Sequence, residues 1–236
     1  MTKQTRNSKS NLFLIKVCNK LFRMFLLNAV GEKSLSEIGR FERDGWDEIL
    51  FRNLNLNSDS QIFILGGYKG ESISEYRRRF NSHVIALEPV QEYYKILNDR
   101  FENDRKVIIH NLALAANSGL RQISINSDST GFFEKTEDAV LETINCVGVQ
   151  EFFTPIIGSL DLVEINIEGA EYEVLDSIVQ LNLQFKITSL LIQFHRNAPD
   201  FELKRRKIRE ILKNSHDEVF CYDFVWERWD LKLSKR

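Results

Sequence analysis

Residues 61–71 read QIFILGGYKGE: an apolar run ends at Leu65, a turn carries Gly66, Gly67 and Gly70, and Glu71 opens a stretch of helical period. Residues 83–89, HVIALEP, repeat the design, with a second apolar run that ends on Glu88 and is broken by Pro89. Short β-rich runs alternating with helical stretches are the mark of βαβ units and a parallel sheet. Working outward, strands are expected over 61–65, 83–87, 107–111, 160–167 and 187–194, with helices over 71–80, 90–103, 170–179 and from beyond Pro199 to about Asn214. Residues 121–125 read as an added strand after the Asn117-Ser118-Gly119 turn, and 218–225 with 229–233 as two strands close enough to pair. Residues 126–155 are the least legible part of the chain. The organisation expected is an N-terminal helical segment, 1–60, followed by one α/β domain, 61–236.

Composition sets the bounds. The 236 residues are 43% hydrophobic and 28% charged, with 3 Pro and 11 Gly, which excludes collagen-like and disordered chains. Cys18, Cys146 and Cys221 are far apart and odd in number, which fits reduced thiols in the cytoplasm better than a disulfide framework. The net charge of −2 hides an asymmetry: residues 1–31 hold six cations and no acid, so the remainder is acidic. An acidic body argues against nucleic acid as a partner, because phosphate binding relies on Lys and Arg. Within residues 11–30, Lys16, Lys20 and Arg23 fall on one stripe of an otherwise apolar helix. Three cations oppose spanning a membrane, and no cleavage site of a signal peptide follows. Three readings stay open for this stretch: a helix packed on the domain, a helix lying on an anionic membrane surface or a partner protein, or a transit peptide.

Three motifs carry chemistry. The glycine loop lets the backbone turn tightly and approach a ligand, while the next helix offers free N–H groups. Its spacing is G-G-x-x-G and lacks the G-x-G-x-x-G of a dinucleotide fold. Glu88, 18 residues past Gly70, stands where an acid can accept hydrogen bonds from both ribose hydroxyls of an adenosine-containing ligand. The third motif is Asp161-Leu162-Val163-Glu164-Ile165-Asn166-Ile167-Glu168-Gly169-Ala170-Glu171. A central α/β strand should be apolar on both faces, so polar residues at its carboxyl end point to a site at that sheet edge.

ILGGYKGE, ALEP, DLVEINIEGAE and the later LLIQFH together resemble the FkbM-type family of S-adenosylmethionine-dependent methyltransferases, over roughly 61–195. The resemblance implies a class I methyltransferase fold: a Rossmann-like, seven-stranded, mostly parallel sheet with helices on both faces and a C-terminal antiparallel hairpin. It implies S-adenosyl-L-methionine as cofactor and methyl transfer to a hydroxyl of a carbohydrate, glycoconjugate or natural product. Gly66, Gly67, Gly70, Glu88 and Asn166 are then the expected cofactor-binding residues. The chain departs from the family at Ile64, where an Asp is common, and at Glu164 and Asn166, where Lys and Asp are often found. No bound metal is expected, since Asn166 brings no charge to such a site.

Methyl transfer to oxygen needs positioning and a base for the hydroxyl proton. His195, which ends the run Leu190–Phe194, is the first choice because its ordinary pKa of ~6.5 suits neutral pH; Glu168 and Glu171 are alternatives. Each also has a bland role, His195 as a strand-end cap and the two acids as partners of a helix N-terminus. Two other functions stay in view: a non-catalytic adenosyl-binding protein, and an NAD-dependent oxidoreductase disfavoured by the glycine spacing.

Overall fold

The computed structural model describes residues 36–125, 130–131, 140–156 and 158–232. The amphipathic stretch 11–30 lies outside the described residues. The chain divides into two units, Met1–Trp46 and Asp47–Arg236. The first contributes a helix over residues 36–43. No helix among the described residues is long and apolar enough to cross a membrane.

The second unit is built on the expected parallel strands. β1 (Gln61–Leu65), β2 (His83–Leu87) and β3 (Val107–His110) lead into β4 (Ala113–Ala115), β5 (Gly119–Ile125), β6 (Thr130–Gly131) and β7 (Val140–Gly148). β8 (Leu160–Ile165), β9 (Ile187–Ile192), β10 (His216–Tyr222) and β11 (Trp226–Leu231) follow. The helices that concern the site are α1 (Glu71–Phe80), α2 (Gln91–Phe101), α3 (Val149–Phe153), α4 (Glu171–Gln180) and α5 (Phe201–Leu212). The main sheet has seven strands in the order β10-β11-β9-β8-β1-β2-β3. β3, β2, β1, β8 and β9 are parallel, and β11 and β10 close the edge antiparallel. This is the seven-stranded, mostly parallel sheet with a C-terminal hairpin expected of a class I methyltransferase.

Parallel strands buried on both faces need apolar side chains on both, and β1 obeys from Ile62 to Leu65. Phe63, Leu65, Val163, Ile165, Leu190 and Ile192 pack with Val174, Leu175 and Ile178 of α4 and Ile208 and Leu212 of α5. Ile62, Ile64, Leu162 and Leu191 pack with Ile73 and Tyr76 of α1 and Leu97 of α2. The basic run Arg77–Arg79 is neutralised locally: Arg77 pairs with Asp104, and Arg78 and Arg79 with Glu75.

Sequence reading missed the second sheet, in the order β4-β7-β5-β6. β5 is the expected added strand, but its partner β7 comes from the least legible stretch, and the two pair antiparallel over seven positions. Ile123, Ile144 and Cys146 on its inner face pack with Val90, Ala113 and Ala115. Gln91 at the start of α2 donates its N–H to Glu142 at 2.9 Å, and Arg121 pairs with Glu173 of α4, so this sheet is tied to both helices.

Candidate active site

The carboxyl ends of β1, β2, β8 and β9 form one edge, and backbone hydrogen bonds fix their relative height. Gly66 and Gly67 donate to the Leu87 carbonyl, Asn166 donates to Leu65, and Gln193 to Ile165. Gly66 (φ 91°) cannot carry a side chain: a Cβ there would stand 2.0 Å from the Asn166 carbonyl oxygen. A Cβ at Gly67 would meet Leu97, and one at Gly70 (φ 88°) would meet Phe101 and Leu97. The close approach that demands these glycines is therefore to the protein's own chain, to the neighbouring strand end and to α2. α1 begins right after Gly70 with no side chain capping its N-terminus.

Glu88 is only 4% exposed. One carboxylate oxygen accepts the Tyr68 N–H at 2.8 Å and the other the Val90 N–H at 2.9 Å. The acid thus binds the tip of the glycine loop to the end of β2. Burial pushes its pKa up to about 7, against the lowering effect of those two amides. Tyr68, which the sequence did not mark, is half exposed in a left-handed conformation (φ 44°), with its ring edge-on to Tyr93 at 4.7 Å.

At the end of β8, Asn166 keeps its Oδ1 buried without a hydrogen-bond partner. Two left-handed residues follow closely, Glu168 (φ 52°) and Gly169 (φ 100°). A non-glycine residue held there stores strain of the kind that collects at binding sites. Glu171 is fully buried, and its carboxylate accepts the N–H groups of Ile167 at 3.1 Å and Gly169 at 2.8 Å, so it holds this turn closed.

His195 lies between the two acids, with Nδ1 2.6 Å from Glu171 Oε1 and Nε2 3.2 Å from Glu168 Oε1. Burial disfavours its charge, but the Glu171 and Glu168 carboxylates outweigh burial and hold the imidazole pKa up at about 10. The expectation of an ordinary histidine titrating near neutrality is corrected: in this setting His195 is an imidazolium at neutral pH. Two further residues brace the group, with the Tyr172 hydroxyl donating to the His195 carbonyl at 2.5 Å and Asn197 Nδ2 to the Glu168 carbonyl at 3.1 Å.

Glu164 departs from the expected picture of a polar strand end facing a ligand. It is buried beneath α1 and accepts the hydroxyls of Ser72 and Tyr76, each at 2.7 Å, while burial raises its pKa. Ile64 is aliphatic core. His216 is likewise structural, bonded to Ser215 and the Ile187 carbonyl. Among the described residues, no three His, Cys, Asp or Glu side chains are grouped to hold a metal ion.

A family model described as the methyltransferase FkbM domain matches residues 65–220, from the last residue of β1 into β10. The chain belongs to this family. FkbM membership makes it a methyltransferase with S-adenosyl-L-methionine as cofactor. Solved structures similar to this FkbM-domain chain include Aeropyrum pernix fibrillarin with natively bound S-adenosyl-L-methionine, at 10% identity, covering 79% of this chain and 73% of that one with a TM-score of 0.43. A putative rRNA methylase from Clostridium thermocellum is 8% identical, with 80% and 96% covered and a TM-score of 0.48. A precorrin-6y C5,15-methyltransferase from Geobacter metallireducens is 12% identical, with 79% and 87% covered and a TM-score of 0.44. No curated protein matches the chain by sequence.

Proposed function

We propose that this FkbM-domain protein is an O-methyltransferase acting on a hydroxyl of a carbohydrate, glycoconjugate or natural product. The observation that carries the reading is the Glu168–His195–Glu171 group, a proton-holding unit at the same sheet edge as Glu88 and the glycine loop. The residues fit the cofactor: Glu88 can still accept two hydrogen bonds, since a carboxylate has about four lone-pair sites and the backbone uses two. The orphaned Asn166 Oδ1 is a ready acceptor for an ammonium group. When bound, S-adenosyl-L-methionine supplies a methyl group on a sulfonium.

The chain's own residues supply the rest. Glu88 holds the ribose hydroxyls, and Gly66, Gly67 and Gly70 set the loop against β2 and α2. Glu168, with its side chain 32% exposed, is the member of the group that can meet an acceptor, and its carboxylate takes the hydroxyl proton. His195, already protonated, orients Glu168, and Glu171 fixes His195 from below. Both are positioning residues. The acidic body of the chain favours a small-molecule or glycan acceptor over a nucleic acid.

The test is methyl transfer from labelled S-adenosyl-L-methionine into fractionated glycans and small molecules, with Glu168→Gln beside the wild type. Label in a methyl ether formed at an acceptor hydroxyl, and a loss of about 10²–10⁴ in turnover for Glu168→Gln with unchanged cofactor affinity, is the expected result. Full activity in Glu168→Gln would remove its role. Cofactor binding without transfer to any fraction would favour the non-catalytic reading.

A further inference from the structure

We propose that the acceptor carries an anionic group, a carboxylate or a phosphate, and that Arg196 binds it. This inference rests on the methyltransferase reading of the same sheet edge.

Arg196 directly follows His195. Its guanidinium stacks 4.3 Å from the ring centroid of Phe224, in the turn between β10 and β11, and 6.0 Å from that of Phe201 at the start of α5. Because β11 runs antiparallel to β9, with Glu227 opposite Ile192, this turn returns to the carboxyl end of β9. Phe224, Phe201 and Arg196 therefore form a platform on the flank of the Glu168–His195–Glu171 group.

The neighbouring arginines have carboxylate partners, although Arg205 Nε, like Arg196 Nε, is buried without an acceptor. Arg205 pairs with Asp223 and Glu227, and Arg209 with Glu218 and Glu227. Each of those acids is paired with Arg205 or Arg209, Glu227 through Oε2 alone, and no carboxylate among the described residues lies in ion-pair reach of Arg196. Its Nε is buried against the rings without an acceptor. A guanidinium held by aromatic faces, beside arginines that all have partners, is pre-oriented and keeps its terminal amines for an incoming oxyanion. The two rings restrict its rotation, so an anion gains a fork whose geometry is already set.

The experiment uses the full chain loaded with S-adenosyl-L-methionine and titrated at millimolar concentrations with glucuronate, glucose 6-phosphate and glucose. The Arg196 Nε–H resonance reports binding in the wild type, and calorimetry on the wild type and the variants reports both anion and cofactor affinity. The expected result is a shift with one or both anions and none with glucose. A response to glucuronate alone assigns a carboxylate, and to glucose 6-phosphate alone a phosphate. Arg196→Gln should weaken anion binding about 10- to 100-fold. Arg196→Lys, which keeps the charge but loses the planar, ring-stacked fork, should recover part of it. No response to either anion, an equal response to glucose, or unchanged anion affinity in a folded Arg196→Gln protein would overturn the inference. Loss of cofactor binding in the wild type would instead strike the reading on which it rests.

Discussion

If Glu88 holds the ribose as proposed, cofactor binding is a proton-linked event. In the ligand-free protein its pKa is about 7 because burial penalises the carboxylate more than two backbone N–H groups favour it. In the proposed complex two ribose hydroxyls donating to that carboxylate favour its charged form, so binding is expected to lower the pKa toward its ordinary value of 4.5. The sign follows: the free protein binds the proton more tightly than the complex, so affinity falls as pH falls. Near pH 6 about 90% of the free protein holds this proton, and binding expels roughly 0.9 of it. From about pH 8 to pH 5.5, affinity for S-adenosyl-L-methionine should drop about 25-fold, or roughly 2 kcal/mol. Calorimetry in buffers of different ionisation enthalpy measures both the affinity and the released proton. Glu88→Gln should weaken binding by about 1.5–3 kcal/mol at pH 8, the scale of hydrogen bonds to a charged acceptor, and should lose most of the pH slope. The ligand's own amino group titrates in both proteins, so the difference between them isolates Glu88. A slope as steep in a folded Glu88→Gln protein would refute the ribose assignment.

Gly66→Ala should cost about 2–4 kcal/mol of unfolding free energy, since it adds a backbone clash to a left-handed φ. Gly158→Ala, at φ 96° with open space around it, carries the strain alone, so equal urea midpoints for the two variants would count against the clash. Tyr76→Phe and Ser72→Ala each strip a donor from buried Glu164 and should cost about 1–3 kcal/mol. Burial holds the folded-state pKa of Glu164 above its ordinary value, so its contribution is greatest at low pH and declines as pH rises past about 4.5; a denaturation series that is no steeper with pH in Tyr76→Phe would contradict this. Residues 1–30 should carry contact with an anionic membrane surface, so the full chain should co-sediment with anionic vesicles more than a chain starting at Gly31. Equal sedimentation would remove the membrane reading of residues 11–30.

Most of the main sheet was legible because its signals are local. An apolar run followed by glycine and a helix-period stretch declares β1 and α1 without knowledge of anything else, and the boundaries 61–65, 71–80 and 83–87 coincide with the observed ones. The second sheet was harder. β7 does alternate, with Ile144 and Cys146 buried against exposed Thr143 and Asn145, but the signal begins just after a polar stretch that obscures its partner β5. Glu164 misled for a different reason. Its alternation with Val163 and Ile165 pointed to a site at the sheet edge, whereas Ser72 and Tyr76, on a helix about ninety residues earlier, make it a polar tie inside the core.

The candidate site divides along the same line between local and distant causes. His195 and the acids at 168 and 171 could be picked out individually, because each stands at the end of an apolar strand or at the start of a helix. Their protonation could not. The imidazole's ordinary value of 6.5 becomes about 10 because β8 and β9 are neighbours, which brings two carboxylates from one strand end around a ring carried by the other. The acid limb expected of the reaction changes with it. A free histidine would lose activity as it protonates below neutrality, whereas an imidazolium already formed has no proton to gain there. A decline in turnover between about pH 7 and 5.5 would then come from groups that do gain one, Glu88 above all, and should vanish at saturating cofactor if Glu88 acts only through binding.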